Sequence, residues 1–510
     1  MASPSEKLAG SLELLGRLQN KKGVAVVRAS DMTRTHKERL VKNGFLKEVI
    51  KGWYISKRPE EQDGETTSWY TSFWDFATIY INARFGDDWC LSPEQSLFLH
   101  SGNNSVPSQL IVRSPKANNN KIDLIHGTSF FDLRLEIPAS DKRIARDGIQ
   151  LYGLAPALIA VNADFFSKFP TDARTCLSMI RDSSQVLSLL LSGEHSVIAG
   201  RLAGAFRNIG KDKIADEIVD TMKSADFIVR EEDPFLKKLP NVLDARKVSP
   251  YTNRIKLMWQ EMRPKIIDNF PKSPGLPVSA DVYLKQIDEY YIEDAYHSLS
   301  IEGYRVNQQL IERVRLGDWN PDTNRADIEQ KDAMAARGYY LAFEAVKRSI
   351  KKILEGKNAG EVVGDDHSTW YRELFTPSVT AGILRLSDLA GYRNAQVFIK
   401  GSKHTPPNFE AVREAMSVLF ELLREETDAG VRVVLGHFTF VFIHPYMDGN
   451  GRIGRFIMNV MLASGGYPWT VIPVEKRKIY MAALEKAGVQ QDITDFAKFL
   501  AELTEHAMKR

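Results

Sequence analysis

Residues 444–455 read His-Pro-Tyr-Met-Asp-Gly-Asn-Gly-Arg-Ile-Gly-Arg, and they lie between two apolar stretches, Val431 to Ile443 and Arg452 to Leu462. That arrangement confines the chain locally to helix, tight loop, helix, because both flanks carry helical apolar periodicity while Gly449, Asn450 and Gly451 suit a sharp turn. Successive N–H groups in such a turn, followed by a helix N-terminus, form a cradle for an anion. Arg452 and Arg455 are three positions apart, so on that helix they share a face and can both fork onto phosphate oxygens. Asp448 supplies a hard oxygen for a Mg²⁺ ion that bridges phosphates and keeps most of its waters. His444, closing the apolar run, can accept the proton of an attacking hydroxyl. Taken singly, a histidine after a buried helix or a Gly-Asn-Gly turn is ordinary structure. Their combination points to group transfer on an activated phosphate.

Position by position these twelve residues resemble the signature of Fic-domain proteins, with Tyr446 in place of the usual Phe. The resemblance implies AMP transfer from ATP to a Ser, Thr or Tyr hydroxyl of a target protein, with release of pyrophosphate. It implies His444 as general base, Asp448 as the Mg²⁺ ligand, and Gly449, Asn450, Gly451 and Arg452 around the phosphates, with Arg455 on the γ-phosphate. The related Doc branch, which transfers a terminal phosphate, carries Lys at the position of Gly451, so glycine there favours adenylylation.

Between Ser279 and Gly303 apolar residues recur at helical spacing, Val282, Leu284, Ile287, Tyr290/Tyr291, Ala295 and Leu299. Ser279 is the expected N-cap and Gly303 the expected stop. The end of this helix, Ser298-Leu-Ser-Ile-Glu302-Gly303, resembles the inhibitory motif of autoinhibited Fic proteins. The resemblance implies that Glu302 pairs with Arg455 and occupies the fork meant for the γ-phosphate. In some relatives that glutamate also supports removal of AMP, so both directions are expected to be open to the chain.

Residues 391–407 hold a short β-prone run, Val397, Phe398 and Ile399, followed by Lys400, where the family carries its flap. A hairpin here is expected to touch the nucleotide and to take an extended segment of a target protein as an added strand. Lys400 stands where some relatives have Gly. Tyr480 falls where related proteins place a Tyr near the nucleoside, while Gly488 replaces an Asn that some of them use. His437 is expected to be a packed structural histidine.

With 510 residues the chain exceeds one core, and its length predicts about three domains. A formal charge of +3 implies no global polyanion field, and two cysteines cannot make a disulfide framework, as suits a reducing cytoplasm. No export signal or membrane span is legible, so a cytoplasmic protein without a membrane contact is expected. At the N-terminus, Leu12 to Leu18 is an amphipathic stretch, Ala29-Ser-Asp31 is the expected cap of a helix through Arg34, Lys37 and Leu40, and two β-prone runs flank Lys51-Gly52, as a winged-helix wing reads. Lys and Arg dominate residues 21–58, which are expected to offer contacts to DNA phosphates. This region, with Leu91 to His100, resembles the winged-helix antitoxins of abortive-infection systems.

The sequence therefore predicts a multidomain, mainly α chain: a winged-helix-like segment over 1–60, an α+β region over 61–160, a helical connector and proline-containing linker over 161–275, and an all-α Fic domain over 276–510 with its inhibitory helix at 279–302. The expected activity is that of an autoinhibited protein adenylyltransferase using ATP and Mg²⁺. The alternative is a DNA-binding regulator or antitoxin-like protein whose Fic domain senses nucleotide. An oligomer is compatible with either.

Overall fold

The computed structural model describes residues 3–22, 25–61, 64–238, 249–317 and 331–509. It divides into two units, Met1–Asn241 with Phe398–Thr405, and Val242–Val397 with Pro406–Arg510.

The first unit opens with α1 (Pro4–Lys22), β1 (Val26–Arg28), α2 (Arg34–Lys42), β2 (Leu46–Ile50) and β3 (Trp53–Ser56), the strands pairing antiparallel in the order β1-β3-β2. Gly52 adopts a φ of 82°, which lets Lys51-Gly52 reverse the chain as the sequence predicts. The cap of α2 departs from expectation. Ala29–Asp31 is a short 3₁₀ turn, and Thr33 caps the helix by accepting from the His36 N–H at 3.4 Å. Thr33 stands immediately before the first helical residue, where a hydroxyl reaches the third amide; Asp31 instead accepts from the Arg28 N–H at 2.8 Å.

Many basic side chains of this region are engaged internally: Arg34 with Glu38, Arg39 with the Lys7 carbonyl and the Ser11 hydroxyl, Arg28 over the Trp53 ring, and Lys47 with His126. Lys42, Lys51 and Arg58 are exposed.

Next, α3 (Thr67–Phe85) packs Trp69, Phe73, Phe76 and Tyr80 against Phe130 in a second sheet. That sheet is ordered β4-β5-β7-β6, from Cys90–Leu91, Gln109–Ser114, Ser129–Arg134 and Lys121–Asp123, with β5 and β7 parallel. Helix α4 (Pro93–His100) links β4 to β5, a hairpin of β8 (Arg143–Arg146) and β9 (Ile149–Tyr152) follows, and helices run from α5 (Leu154–Ala160) to α10 (Asp212–Ser224). Residues 398–405 belong to this unit. The Val106 N–H donates to the Lys403 carbonyl at 2.9 Å, Lys403 Nζ to the Ser108 hydroxyl at 3.2 Å, and Lys400 pairs with Glu65 at 2.8 Å. The expected β-hairpin is not formed: residues 391–407 contain turns and irregular backbone, with no strand. The β-prone run Val397–Ile399 is cut by the turn at Lys400-Gly401, where Gly401 adopts a φ of 76°.

The second unit is helical: α11 (Pro250–Ile267), α12 (Ala280–Ile301), α13 (Gln308–Leu316), α14 (Lys331–Leu354), α15 (Ala359–Thr380), α16 (Val412–Glu425), α17 (Ala429–Ile443), α18 (Asn450–Ser464), α19 (Arg477–Gln490) and α20 (Thr494–Met508). The proline-bearing stretch thus holds a helix, α11, whose Pro250 sits in the first turn where no N–H is needed. Arg263 of α11 forks onto Glu426 at 2.9 and 3.0 Å. Helices α17 and α18 are almost wholly buried and form the centre of the core.

Helix α12 keeps the predicted ends: Ser279 accepts from the Val282 N–H at 3.4 Å, and Gly303 has a φ of 90°. Its buried face runs through Tyr283, Ile287, Tyr291, Ala295 and Leu299, while Val282 is 59% exposed, because Tyr283 takes the inward position in the first turn. Among the described residues no helix is long and apolar enough to cross a membrane.

Candidate active site

The loop between α17 and α18 begins at His444, which has left-handed backbone angles, φ 52° and ψ 60°. For a residue with a Cβ this conformation costs about 1–2 kcal/mol, so surrounding contacts must hold it. One is its own N–H, which donates to the Phe440 carbonyl at 3.0 Å. The ring is placed by Nδ1, 3.2 Å from the Val441 carbonyl. A carbonyl only accepts, so Nδ1 carries the proton and Nε2 keeps its lone pair. Burial, with a smaller push from Arg393, lowers the His444 pKa to about 4. The imidazole is therefore neutral near pH 7, as a proton acceptor must be.

Asn450 shapes the loop. Its side-chain oxygen accepts from the Tyr446 N–H at 2.9 Å and its amide donates to the Tyr446 carbonyl at 2.8 Å, so the side chain expected on phosphate is occupied by backbone. Tyr446, the departure from the usual Phe, stacks on Tyr371 at 3.8 Å between centroids, which the ring alone accounts for. Gly449 takes a φ of 81° and starts α18. A Cβ at Gly451 would lie 2.3 Å from Glu302 Oε1, so an added side chain would displace the carboxylate that holds Arg455.

The two arginines diverge. Arg452 lies with its guanidinium over the rings of Tyr304 and Phe375, 5.3 and 5.1 Å from their centroids, and its Nη2 is 3.4 Å from Asp448. The charge of Arg452 is delocalised enough to sit between aromatic faces. Arg455, 3% exposed, donates from Nε to the Ser298 hydroxyl at 2.8 Å and from Nη2 to the Ser298 carbonyl at 3.0 Å and Glu302 Oε1 at 2.7 Å. Burial alone would raise the Glu302 carboxyl, but Arg455 and then Arg452 outweigh it and hold the pKa below its ordinary value. Arg455 is likewise opposed by burial and carried above its ordinary value by Glu302. Both stay ionised. The predicted helix end, through Ser298, Glu302 and Gly303, is therefore brought onto the Arg455 fork across more than 150 residues of sequence.

Asp448 accepts from the Gly449 N–H at 2.6 Å and keeps its side chain 68% accessible. With Arg452 it lines a cleft of about 450 Å³ whose other walls include Tyr304, Met334, Leu374 and Phe375. An accessible carboxylate beside a run of amides suits a hard cation that draws its remaining ligands from phosphate and water.

Tyr480 is buried, with its hydroxyl 2.8 Å from His437 Nε2, so both are packed within the core beside Arg455. Of the expected flap contacts, Val397 lies in the helical unit, whereas Phe398, Ile399 and Lys400 belong to the first unit, Lys400 through its pair with Glu65. Two participants carry no sequence signal. Tyr304 is simply the second residue after Glu302, and Arg393 is an isolated cation in a polar segment; neither has a spacing that marks it.

A neutral histidine thus heads a glycine-bearing loop between two buried helices, α17 and α18. Residues 368–462 match the Fic/DOC family, and the chain carries a Fic domain. It is 26% identical over 280 residues to the protein adenylyltransferase Fic of Nematostella vectensis, covering 52% of this chain and 60% of that relative. To the protein adenylyltransferase Fic of Drosophila ananassae it is 35% identical over 225 residues, 43% of this chain and 41% of the relative. Among solved structures, Fic-1 from C. elegans aligns with a TM-score of 0.38 at 18% identity, over 64% of this chain and 91% of that one. The chain thus spans about three fifths of the first relative's length and about two fifths of the second's.

Proposed function

We propose that the chain is a protein adenylyltransferase held in an inhibited state by Glu302. The observation that carries the reading is the placement of a neutral His444, its Nε2 free, at the head of the cradle whose Arg455 is held by Glu302. In the proposed step a Ser, Thr or Tyr hydroxyl of a target protein gives its proton to His444 Nε2 as its oxygen attacks the α-phosphorus of ATP. The bond from that phosphorus to the oxygen bridging the β-phosphate breaks, and pyrophosphate leaves. The amides of Asn450 and Gly451, at the N-terminus of α18, would stabilise charge on the phosphates. Asp448 would hold Mg²⁺, which when bound neutralises phosphate charge. Inhibition follows from competition: while Glu302 holds Arg455, the γ-phosphate has no fork to enter and ATP settles out of line. Reversal, removal of AMP from the target, belongs to the same proposal, with Glu302 in reach of the cradle.

Incubation with Mg²⁺ and α-labelled ATP tests it. Glu302→Gly is expected to increase protein-bound label at least tenfold over the unsubstituted chain, and His444→Ala in that background to abolish it. Equal labelling of Glu302→Gly and the unsubstituted chain would falsify the inhibited-enzyme reading.

Exposed Lys42, Lys51 and Arg58 support a subsidiary proposal, a DNA contact through residues 21–58. Reversing all three to Glu should abolish retention of duplex DNA at low salt; retention that persists removes the DNA contact.

A further inference from the structure

Arg393 is 4% exposed, and its donors reach backbone carbonyls. Nε donates to the His444 carbonyl at 2.9 Å, one terminal nitrogen to the Ala395 carbonyl at 3.0 Å, and the other to the Pro407 carbonyl. Its own N–H donates to the Pro445 carbonyl at 2.9 Å. Gln396 closes the same neck by donating to the Pro406 carbonyl at 3.0 Å. A buried cation satisfied by carbonyls is an expensive way to fill a core, and burial lowers the Arg393 pKa to about 10. What the guanidinium gains is geometry, since its planar fork can bind three separate backbone segments at fixed angles.

Those three segments are the head of the cradle, where His444 is held in a left-handed conformation, and the two roots of the 396–406 loop. Resting on the adenylyltransferase reading above, we infer that Arg393 is a positioning residue that ties the His444 backbone to the two roots of the 396–406 loop and so aims the base. Arg393 touches neither the amides of the Gly449–Gly451 turn nor Arg455, so it acts on the placement of the base and leaves the phosphate cradle alone. A shift of about 1 Å in a reacting group costs on the order of a hundredfold in rate.

The test is the rate of label incorporation from α-labelled ATP into the protein itself, measured across ATP concentrations in the Glu302→Gly background. Arg393→Lys keeps the charge, but its three donors radiate from one nitrogen and cannot span the carbonyls that the planar guanidinium reaches from three separate nitrogens. The maximum rate is expected to fall about a hundredfold, with the half-saturating ATP concentration changed less than about threefold. Arg393→Ala should behave alike, and millimolar guanidinium chloride should restore part of its rate by refilling the vacated site, which a role in general stability would not allow. Labelling within twofold of the background in both variants overturns the inference, as does a rate loss matched by an equal rise in half-saturating ATP or full activity of Arg393→Lys. Absence of label in Glu302→Gly itself overturns the adenylyltransferase reading and this inference with it, a result distinguishable from labelling indifferent to Arg393.

Discussion

Removing the Ser298 hydroxyl takes one of three hydrogen bonds from Arg455 and leaves the Ser298 carbonyl and Glu302 in place. A hydrogen bond to a charged group contributes about 1.5–3 kcal/mol, so Ser298→Ala should loosen the latch without opening it. Label incorporation is expected to rise severalfold, well short of Glu302→Gly; a rise equal to that of Glu302→Gly would show that the hydroxyl, not the carboxylate, holds Arg455. A second expectation concerns protons. Burial lowers both His437 and His444 to about 4, against about 6.5 in the unfolded chain. Between those values the unfolded state binds more protons, so their contribution to stability is complete above pH 6.5 and disappears as pH falls towards 4. For fully buried His437 this amounts to about 3 kcal/mol. Urea midpoints should therefore drop between pH 7 and pH 5, and drop less in His437→Gln. The labelling rate of Glu302→Gly should show no loss near pH 6.5 from protonation of His444, because its acid limb lies near 4.

At the scale of elements, α12 works as a rigid arm. Asp294, Ser298 and Glu302 recur every four residues, so they lie along one face of the helix; Asp294 accepts from the Tyr339 hydroxyl at 2.5 Å, and burial raises its pKa to about 6. The arm ends where Gly303 turns left-handed, φ 90°, a conformation that costs another residue about 1 kcal/mol or more. Gly303→Ala should lower the melting temperature by a few degrees at most and raise labelling severalfold, because the strain falls on the turn that aims Glu302. An unchanged labelling rate alongside a lowered melting temperature would place the strain elsewhere.

The limits of this helix were readable from Ser279, the apolar spacing and Gly303, and the loop between α17 and α18 was readable from its glycines. Less visible were contacts that depend on which distant face arrives. Val282 fits the apolar spacing yet is solvent-exposed, Arg452 reads as a phosphate ligand yet lies between Tyr304 and Phe375, and Asn450 spends its amide on Tyr446. The 397–399 run has strand-forming side chains but lacks a partner strand, and propensity without pairing does not make a strand.

On the scale of the molecule, two units with separate cores should melt as two transitions. In Glu302→Gly, MgATP is expected to raise the transition of the helical unit and leave that of the N-terminal unit unmoved, as a ligand stabilises only what binds it. Calorimetry decides this: a single transition that MgATP raises as a whole would mean that the two cores unfold as one. The allegiance of residues 398–405 carries no sequence signal: they lie deep in the helical half of the sequence and pack with the first unit through Lys400 and Lys403.

The bare Cα of Gly451 lies where a Cβ would collide with the Glu302 carboxylate at 2.3 Å. One small void thus admits the inhibitor's oxygen, and on the adenylyltransferase reading it admits substrate phosphate as well. Bulk added on that side penalises rest and turnover together, so variation at this position cannot trade one for the other. A lineage adjusting how quiet the resting protein is would have to do so from α12, by changing how firmly Ser298 and Gly303 aim the glutamate. The twelve-residue loop could then stay constant while basal activity drifts, and chains with the same signature would differ widely in how active they are at rest.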